Sequence, residues 1–101
     1  MRSLLAAGAL VLLPGLGLAH GPWAWIQQVA PKCCGEADCF KVSAAAGPQG
    51  YVFAHAGRSF FIPYAAARPS LDGDFWACLL PDGDLRNVDS RPCFFAPVSG
   101  S

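Results

Sequence analysis

The strongest pattern in the chain is an apolar run at its start. Residues 4–13 are uninterrupted apolar residues after a single cation, Arg2, and Pro14 then breaks the run. A helix that crosses a membrane needs roughly twenty such residues, about twice as many as are present. The combination of a cation, a short apolar stretch and a breaker is typical of a secretory signal peptide rather than a membrane anchor.

A cleavage site follows this run. Gly17 and Ala19 are small residues at the −3 and −1 positions before His20, as the cleavage of signal peptides requires. We therefore expect residues 1–19 to be removed by cleavage between Ala19 and His20. Residues 20–101 would then be periplasmic or secreted, as a single small domain with no stable membrane anchor.

Shorter patterns in the remaining chain predict a mainly β domain. Residues 51–55 and 58–62 are rich in aromatic and β-branched residues on either side of Ala56-Gly57, which is typical of a β-hairpin. Similar patterns mark further short strands at residues 40–42, 75–80 and 93–95. Five short strands at this spacing predict a small antiparallel sheet or a partly open barrel. The last residues, 97–101, are expected to fray.

A short helix is predicted before the first strand, so the fold class is mainly β in a small α+β arrangement. Trp23, Ile26 and Ala30 recur at roughly helical spacing, Pro22 suits a first helical position, and Pro31 ends the run. The core is expected to form from residues that the helix and strands direct inward. They are Trp23, Ile26, Phe40, Val42, Val52, Phe60, Ile62, Phe75, Leu79 and Phe94.

Loss of the signal peptide changes the charge of the chain. Residues 1–19 hold one basic residue, Arg2, and no acidic one, so their removal takes the formal charge from 0 to −1. This balance gives no electrostatic basis for binding nucleic acid or an anionic membrane surface. A domain of this size buries a thin core, and small domains commonly need covalent cross-links.

Cysteines supply the expected cross-links. In an oxidising compartment, disulfides are expected before metal binding or catalysis. Five cysteines form at most two internal bridges, which can be drawn in fifteen ways, from five choices of the free thiol and three pairings of the rest. Cys78 with Cys93 is the favoured pair, because both lie on the last two predicted strands and would close a loop of about fifteen residues, worth about 3 kcal/mol. The full set is Cys33, Cys34, Cys39, Cys78 and Cys93.

Metal binding is the alternative interpretation of two features. Cys33, Cys34 and Cys39 are close in sequence but lack the second C-x-x-C unit or the added histidines of a zinc site, which favours disulfides. His20, as the new N-terminus, would offer an amine and an imidazole. With His55, these nitrogens are candidate copper ligands. No other cofactor is indicated.

Acidic pairs and catalytic motifs give no further site. Asp72-Gly73-Asp74 and Asp82-Gly83-Asp84 lack the spacing of oxygen ligands in a calcium loop and are typical of tight turns. The sequence contains no G-x-S-x-G motif and little material for a Ser/His/Asp or Cys/His set. No catalytic residue is therefore predicted, and the protein is not expected to be an enzyme.

Three motifs stand in order after the signal peptide. They are the knot Cys33-Cys34-x4-Cys39, a segment from Ser70 to Cys78 that reads SLDGDFWAC, and the ending CFFAP from Cys93 to Pro97. In these motifs the chain resembles small uncharacterised exported proteins of proteobacteria and their prophages. The resemblance covers nearly the whole mature chain. It implies export to the envelope and carries no assigned activity.

These features together predict a non-catalytic binding or structural module of the bacterial envelope, with a protein or an envelope component as its partner. The candidate rings for a binding surface are Tyr64, Trp76 and Phe95. Periplasmic copper handling through His20 is one alternative function. A thiol-active protein, or a homodimer linked through the spare cysteine, is another.

Overall fold

The computed structural model describes residues 23–98. The predicted signal peptide, its cleavage site, His20 and residues 99–101 lie outside the described residues. Over the described range the chain is mainly β with one short α-helix, which confirms the predicted fold class. None of the helices in this range is long and apolar enough to cross a membrane.

The helix comes first and leads directly into the segment that holds Cys33, Cys34 and Cys39. Helix α1 covers Ala24–Val29 and is followed by a 3-10 turn at Pro31–Cys34. Pro31 has no backbone N–H, so an α-helix cannot hydrogen-bond through it. The Ala30 N–H instead donates to the Ile26 carbonyl at 2.8 Å and closes the last turn of the helix. The 3-10 turn then directs Cys33 into the core.

Nine short strands follow among the described residues. In chain order they are β1 (Asp38–Val42), β2 (Ala44–Ala46), β3 (Gly50–His55), β4 (Arg58–Pro63), β5 (Arg68–Ser70), β6 (Phe75–Leu79), β7 (Asn87–Val88), β8 (Arg91–Pro92) and β9 (Phe94–Pro97). A second 3-10 turn, Tyr64–Ala66, joins β4 to β5. The predicted strands 40–42 and 75–80 correspond to β1 and β6, and Pro97, which was expected to fray, ends β9.

The strands form sheets of four, three and two members rather than one sheet of five. The four-stranded sheet has the order β1-β6-β9-β5, in which β5 runs parallel to β9 and the other pairs are antiparallel. Strand β5 lies in the segment that the sequence marks as a connection, because Pro69 at its centre and its length of three residues give no strand pattern.

The predicted hairpin is confirmed as β3 and β4, with Phe53 opposite Phe60 and His55 opposite Arg58. Strand β2 adds to the other side of β3 and completes the three-stranded sheet. Ala56 and Gly57, between β3 and β4, both have positive φ angles, 52° and 82°, as the two-residue turns of hairpins commonly require.

The four-stranded sheet is the middle layer of the domain. Successive residues of β6 and β9 point to opposite faces, and both faces are buried: Trp76 and Phe95 pack on the side of α1, whereas Ala77 and Phe94 pack on the three-stranded sheet. Phe94 is fully buried, and its ring stacks on Phe53 with 5.2 Å between centroids. The layers therefore meet through aromatic contacts and, on the helix side, through one disulfide from Cys33.

The predicted core is confirmed in part. Ile26, Ile62, Leu79 and Phe94 are buried, and Trp23, Val42, Phe60 and Phe75 are half-buried. Phe40 and Val52 are exposed, so their assignment to the core was wrong. Residues 51–53 are all apolar, so no alternation of apolar and polar residues shows which face of the strand is inward. Phe53 is buried in place of Val52.

Candidate functional site

The two disulfides fix the helix side of the domain. They join Cys33 to Cys93 and Cys39 to Cys78, and Cys34 is free. The favoured Cys78–Cys93 pair was therefore wrong. The two residues are neighbours, since the Cys78 N–H donates to the Cys93 carbonyl at 2.9 Å. Cys39, however, lies directly opposite Cys78 across the β1–β6 ladder and bonds to it instead.

The turn at residues 72–74 is organised by the Asp72 carboxylate. Trp76 donates its indole N–H to this carboxylate at 3.1 Å, as does Trp25 at 3.1 Å, and the Ser70 hydroxyl and the Asp74 backbone N–H donate at 3.0 Å. Burial pushes the pKa of Asp72 upward, but these hydrogen bonds outweigh it and hold the pKa below its ordinary value. Asp82 accepts a similar bond from the Asp84 N–H, so both Asp-Gly-Asp segments are the tight turns predicted.

Replacing Asp72 with asparagine is expected to lower the free energy of unfolding at pH 7 by about 1 kcal/mol, because the site is largely exposed and its charged hydrogen bonds are screened. The pKa of Asp72 is lower in the folded protein than in the unfolded chain, where it is about 4. The Asp72 carboxylate therefore stabilises the fold fully above the unfolded pKa, and this stabilisation is lost as the pH falls through the folded pKa. Urea unfolding of the wild type and Asp72→Asn at pH 7 and pH 2.5 measures both effects. A difference as large at pH 2.5 as at pH 7 would contradict this role, and Asp82→Asn is the control.

The predicted binding rings do not form a surface. Trp76 is 2% exposed and Phe95 is 1% exposed, so both were wrong as binding-surface candidates, because the middle sheet is covered on both faces. Tyr64 is exposed as expected. Its hydroxyl donates to the Gly47 carbonyl, and its ring packs edge-on against Tyr51 with 4.9 Å between centroids. Tyr64 therefore packs against its own domain through both its hydroxyl and its ring.

The candidate copper ligands are not brought together in the described residues. His55 ends β3, with its ring 4.8 Å from the ring of Phe40, and it lines an open hollow of about 250 Å³ that also contains Asp38. Across residues 23–98, no group of three or more His, Cys, Asp or Glu side chains could hold a metal ion. His20 lies outside this range, so its part in copper binding stays a prediction.

A second concave surface lies between α1 with its 3-10 turn and the strands β5, β7 and β8. Two open hollows of about 190 and 200 Å³ share Val29, Ala30 and Arg68 as lining residues, and we call this surface the Arg68 groove. Each hollow is smaller than the roughly 300 Å³ at which pockets for drug-sized ligands begin. The groove therefore suits a small chemical group or a single side chain.

Arg68 is held in place at the junction of the two hollows. Its Nε donates to the Pro92 carbonyl at 2.9 Å, and its Nη2 donates to the Val88 carbonyl at 2.9 Å and the Arg91 carbonyl at 3.3 Å. These bonds tie β5 to the β7–β8 hairpin. Among the hydrogen bonds of the described residues, none uses Nη1.

The groove carries a local positive charge. Lys32, Arg68 and Arg91 line it with one acid, Asp89, which gives a local formal charge of +2 in a domain whose predicted mature charge is −1. Burial lowers the pKa of Arg68, the charge of Arg91 lowers it further, and Asp89 acts in the opposite direction. An anion bound beside Arg68 and Arg91 would relieve their mutual repulsion.

Apolar side chains border these charges. Val29 is 53% exposed and Leu71 is 62% exposed, and both line the hollow that also contains Arg68 and Arg91. The groove thus combines cations with an exposed apolar rim, which is the composition expected for recognition of a group that is charged at one end and apolar at the other.

The comparisons with known proteins give no family. No protein family, curated protein or solved structure matches the chain.

Sequence reasoning missed the groove residues. Arg68 and Arg91 each precede a proline, and these two Arg-Pro pairs are the one sequence signal that marks them. A residue before proline is held in an extended conformation, and both arginines begin short strands, β5 and β8. Sequence spacing gives no indication that two residues so far apart lie at one surface.

Proposed function

We propose that the protein is an exported, non-catalytic binding module of the bacterial envelope, and that its Arg68 groove binds a small anionic group attached to an apolar chain. The observation that carries this proposal is the placement of Arg68 and Arg91 beside the exposed side chains of Val29 and Leu71 in one concavity. The two disulfides support an oxidising compartment, in which such bonds persist.

The chemistry of the groove defines the ligand class. A carboxylate or phosphate accepts hydrogen bonds from guanidinium groups, and it would meet Arg91 and the unused Nη1 of Arg68. A short alkyl chain or apolar side chain would cover Leu71 and Val29 and remove their surface from water. The local positive charge of the groove disfavours cationic ligands. The expected ligands are therefore anionic amphiphiles such as fatty acids, lipid phosphates or peptides with an apolar C-terminal residue.

Calorimetric titration of the exported protein with octanoate, octyl phosphate and octylammonium tests this assignment. We expect both anions to bind and octylammonium not to bind. Acetate, which has the charge without the chain, should bind more weakly than octanoate. Equal affinity for octanoate and octylammonium would show that the apolar rim acts alone and would contradict the proposal.

Arg91 gives the sharpest variant, because it is exposed and its removal leaves the bonds made by Arg68 intact. Arg91→Gln removes the charge, and with it the bond from Nη2 to the Ala67 carbonyl at 3.0 Å, but keeps a polar side chain. We expect it to weaken octanoate binding about fivefold, equivalent to about 1 kcal/mol for one exposed charge. Arg58→Gln, in β4 and paired with Asp84, is the matched control and should bind octanoate as the wild type does. Equal loss in both variants would contradict a role specific to the groove.

A further inference from the structure

Three sulfur atoms lie together where the 3-10 turn meets the start of β1. The Sγ of the free Cys34 is 3.8 Å from the Sγ of Cys39, and Cys39 is bonded to Cys78. Thiol–disulfide exchange proceeds by attack of a thiolate on one sulfur of a disulfide. Cys34 is thus in van der Waals contact with the atom that such an attack would reach.

We propose that Cys34 exchanges with the Cys39–Cys78 disulfide, so that the domain interconverts two disulfide isomers. The Cys34 thiol loses its proton to water, and the thiolate attacks the Sγ of Cys39. A Cys34–Cys39 bond forms as the Cys39–Cys78 bond breaks, and the Cys78 sulfur leaves with the electron pair and takes up a proton. The number of disulfides and the oxidation state of the protein do not change, so no external oxidant or reductant is needed.

The position of Cys34 is fixed by its neighbour in the chain. Cys33 is fully buried and bonded to Cys93, so the 3-10 turn is covalently tied to the segment that leads into β9. This tie is not part of the exchange and would hold Cys34 beside Cys39 in both isomers. The proposed reaction therefore needs no large movement of the attacking residue.

The sheet can lose the Cys39–Cys78 bond without losing a backbone hydrogen bond at that pair. The Cys78 N–H donates to the Cys93 carbonyl, and the Cys78 carbonyl accepts from the Arg86 N–H, both at 2.9 Å. Cys78 therefore directs both backbone groups away from β1, and Cys39 and Cys78 form a non-hydrogen-bonded pair of the ladder. The ladder on either side of the pair does not require the bond between the sulfurs.

The exchange relocates the free thiol. Cys34 is half-buried, whereas Cys78 is fully buried. The first isomer therefore offers a thiol that reagents and partner proteins can reach, and the second hides its thiol in the core. Through this difference the exchange would control whether the protein forms a mixed disulfide or a covalent dimer through Cys34.

Mapping of the free thiol by mass spectrometry tests the exchange. Oxidised protein is incubated in its native state without added thiol, quenched in acid, unfolded, labelled with N-ethylmaleimide under mildly acidic conditions and digested with trypsin. The starting isomer carries the label on Cys34, and peptides 33–41, 59–86 and 87–101 are linked together. The exchanged isomer carries the label on Cys78 and releases peptide 59–86, while the other two peptides remain linked.

We expect the Cys78-labelled fraction to increase with incubation time at pH 8.5, at a rate that does not depend on protein concentration. Burial raises the pKa of the Cys34 thiol, so little thiolate is present near neutral pH. The rate should therefore rise about tenfold per pH unit below that pKa.

The charged side chains nearest to Cys34 in the chain are Lys32, Glu36 and Asp38, with Arg86 beside Gly35.

The control separates attack by Cys34 from attack by thiols in general. Cys34→Ser combined with Ser59→Cys removes the attacking thiol and places one on the exposed surface of β4. Cys78 labelling in the wild type should exceed that of this control by about tenfold or more. Labelling confined to Cys34 in the wild type, or equal Cys78 labelling in the two proteins, would overturn the proposal.

Discussion

Replacement of Cys33 and Cys93 with serine is expected to lower the free energy of unfolding by about 4 kcal/mol. The two residues are 60 positions apart, and a cross-link that closes a loop of this length restricts the unfolded chain by about this amount in the chain-entropy model. Small domains have total stabilities of roughly 5–15 kcal/mol. Loss of this bond would therefore remove a large part of the stability of the domain.

Urea unfolding in a Cys34→Ser background measures this effect, because the background prevents the free thiol from forming new bonds. Cys34→Ser alone is the control and should unfold at nearly the same urea concentration as the wild type, since Cys34 lies outside both disulfides of the structure. A loss of less than 1 kcal/mol in the double serine variant would show that Cys33 and Cys93 are not bonded in the folded protein.

Phe94→Ala is expected to lower the free energy of unfolding by about 3–5 kcal/mol. Phe94 is fully buried between the middle sheet and the three-stranded sheet, and its ring contacts Phe53, Tyr51 and Phe75 with centroid distances of 5.2, 5.6 and 6.0 Å. Truncation would leave a cavity at the centre of these contacts, which rigid neighbouring strands cannot fill.

The matched variant for Phe94 is Phe61→Ala, which removes the same ring from an exposed site in β4. Phe61 is 53% exposed, so its truncation is expected to change the free energy of unfolding by less than about 1 kcal/mol. Urea unfolding of both variants gives the comparison. Similar losses would contradict the layered arrangement, and Phe94→Leu, which leaves a smaller cavity, provides a measurable value if Phe94→Ala does not fold.

The elements that could be predicted from the sequence depend on local interactions. The β3–β4 hairpin follows from its turn and from the aromatic and β-branched residues beside it, and the short helix follows from Pro31 and the spacing of Ile26 and Ala30. The two Asp-Gly-Asp turns are likewise set by bonds between residues two positions apart. In each case the signal and the structure lie within one short segment.

The features that could not be predicted depend on contacts between distant segments. The disulfide partner of Cys78 is set by the register of β1 on β6, which the sequence does not specify. Trp76 and Phe95 occupy a sheet that is covered on both faces, so their strands have no polar face to show which rings are exposed. Arg68 and Arg91 come to one surface through the parallel pairing of β5 with β9 and the Arg68 bonds to the β7–β8 hairpin, which are contacts between segments far apart in the chain.

Recognition of anionic amphiphiles at the Arg68 groove is tested most directly by backbone amide NMR during titration with octanoate. We predict that the amide signals of residues 29–30, 68, 71 and 88–91 shift together to one saturation point, while those of β3 and β4 remain in place. Octylammonium should produce no such shifts. Octanoate shifts centred instead on Val52 and Phe61, the exposed apolar pair of the three-stranded sheet, would contradict the assignment of the groove as the binding site.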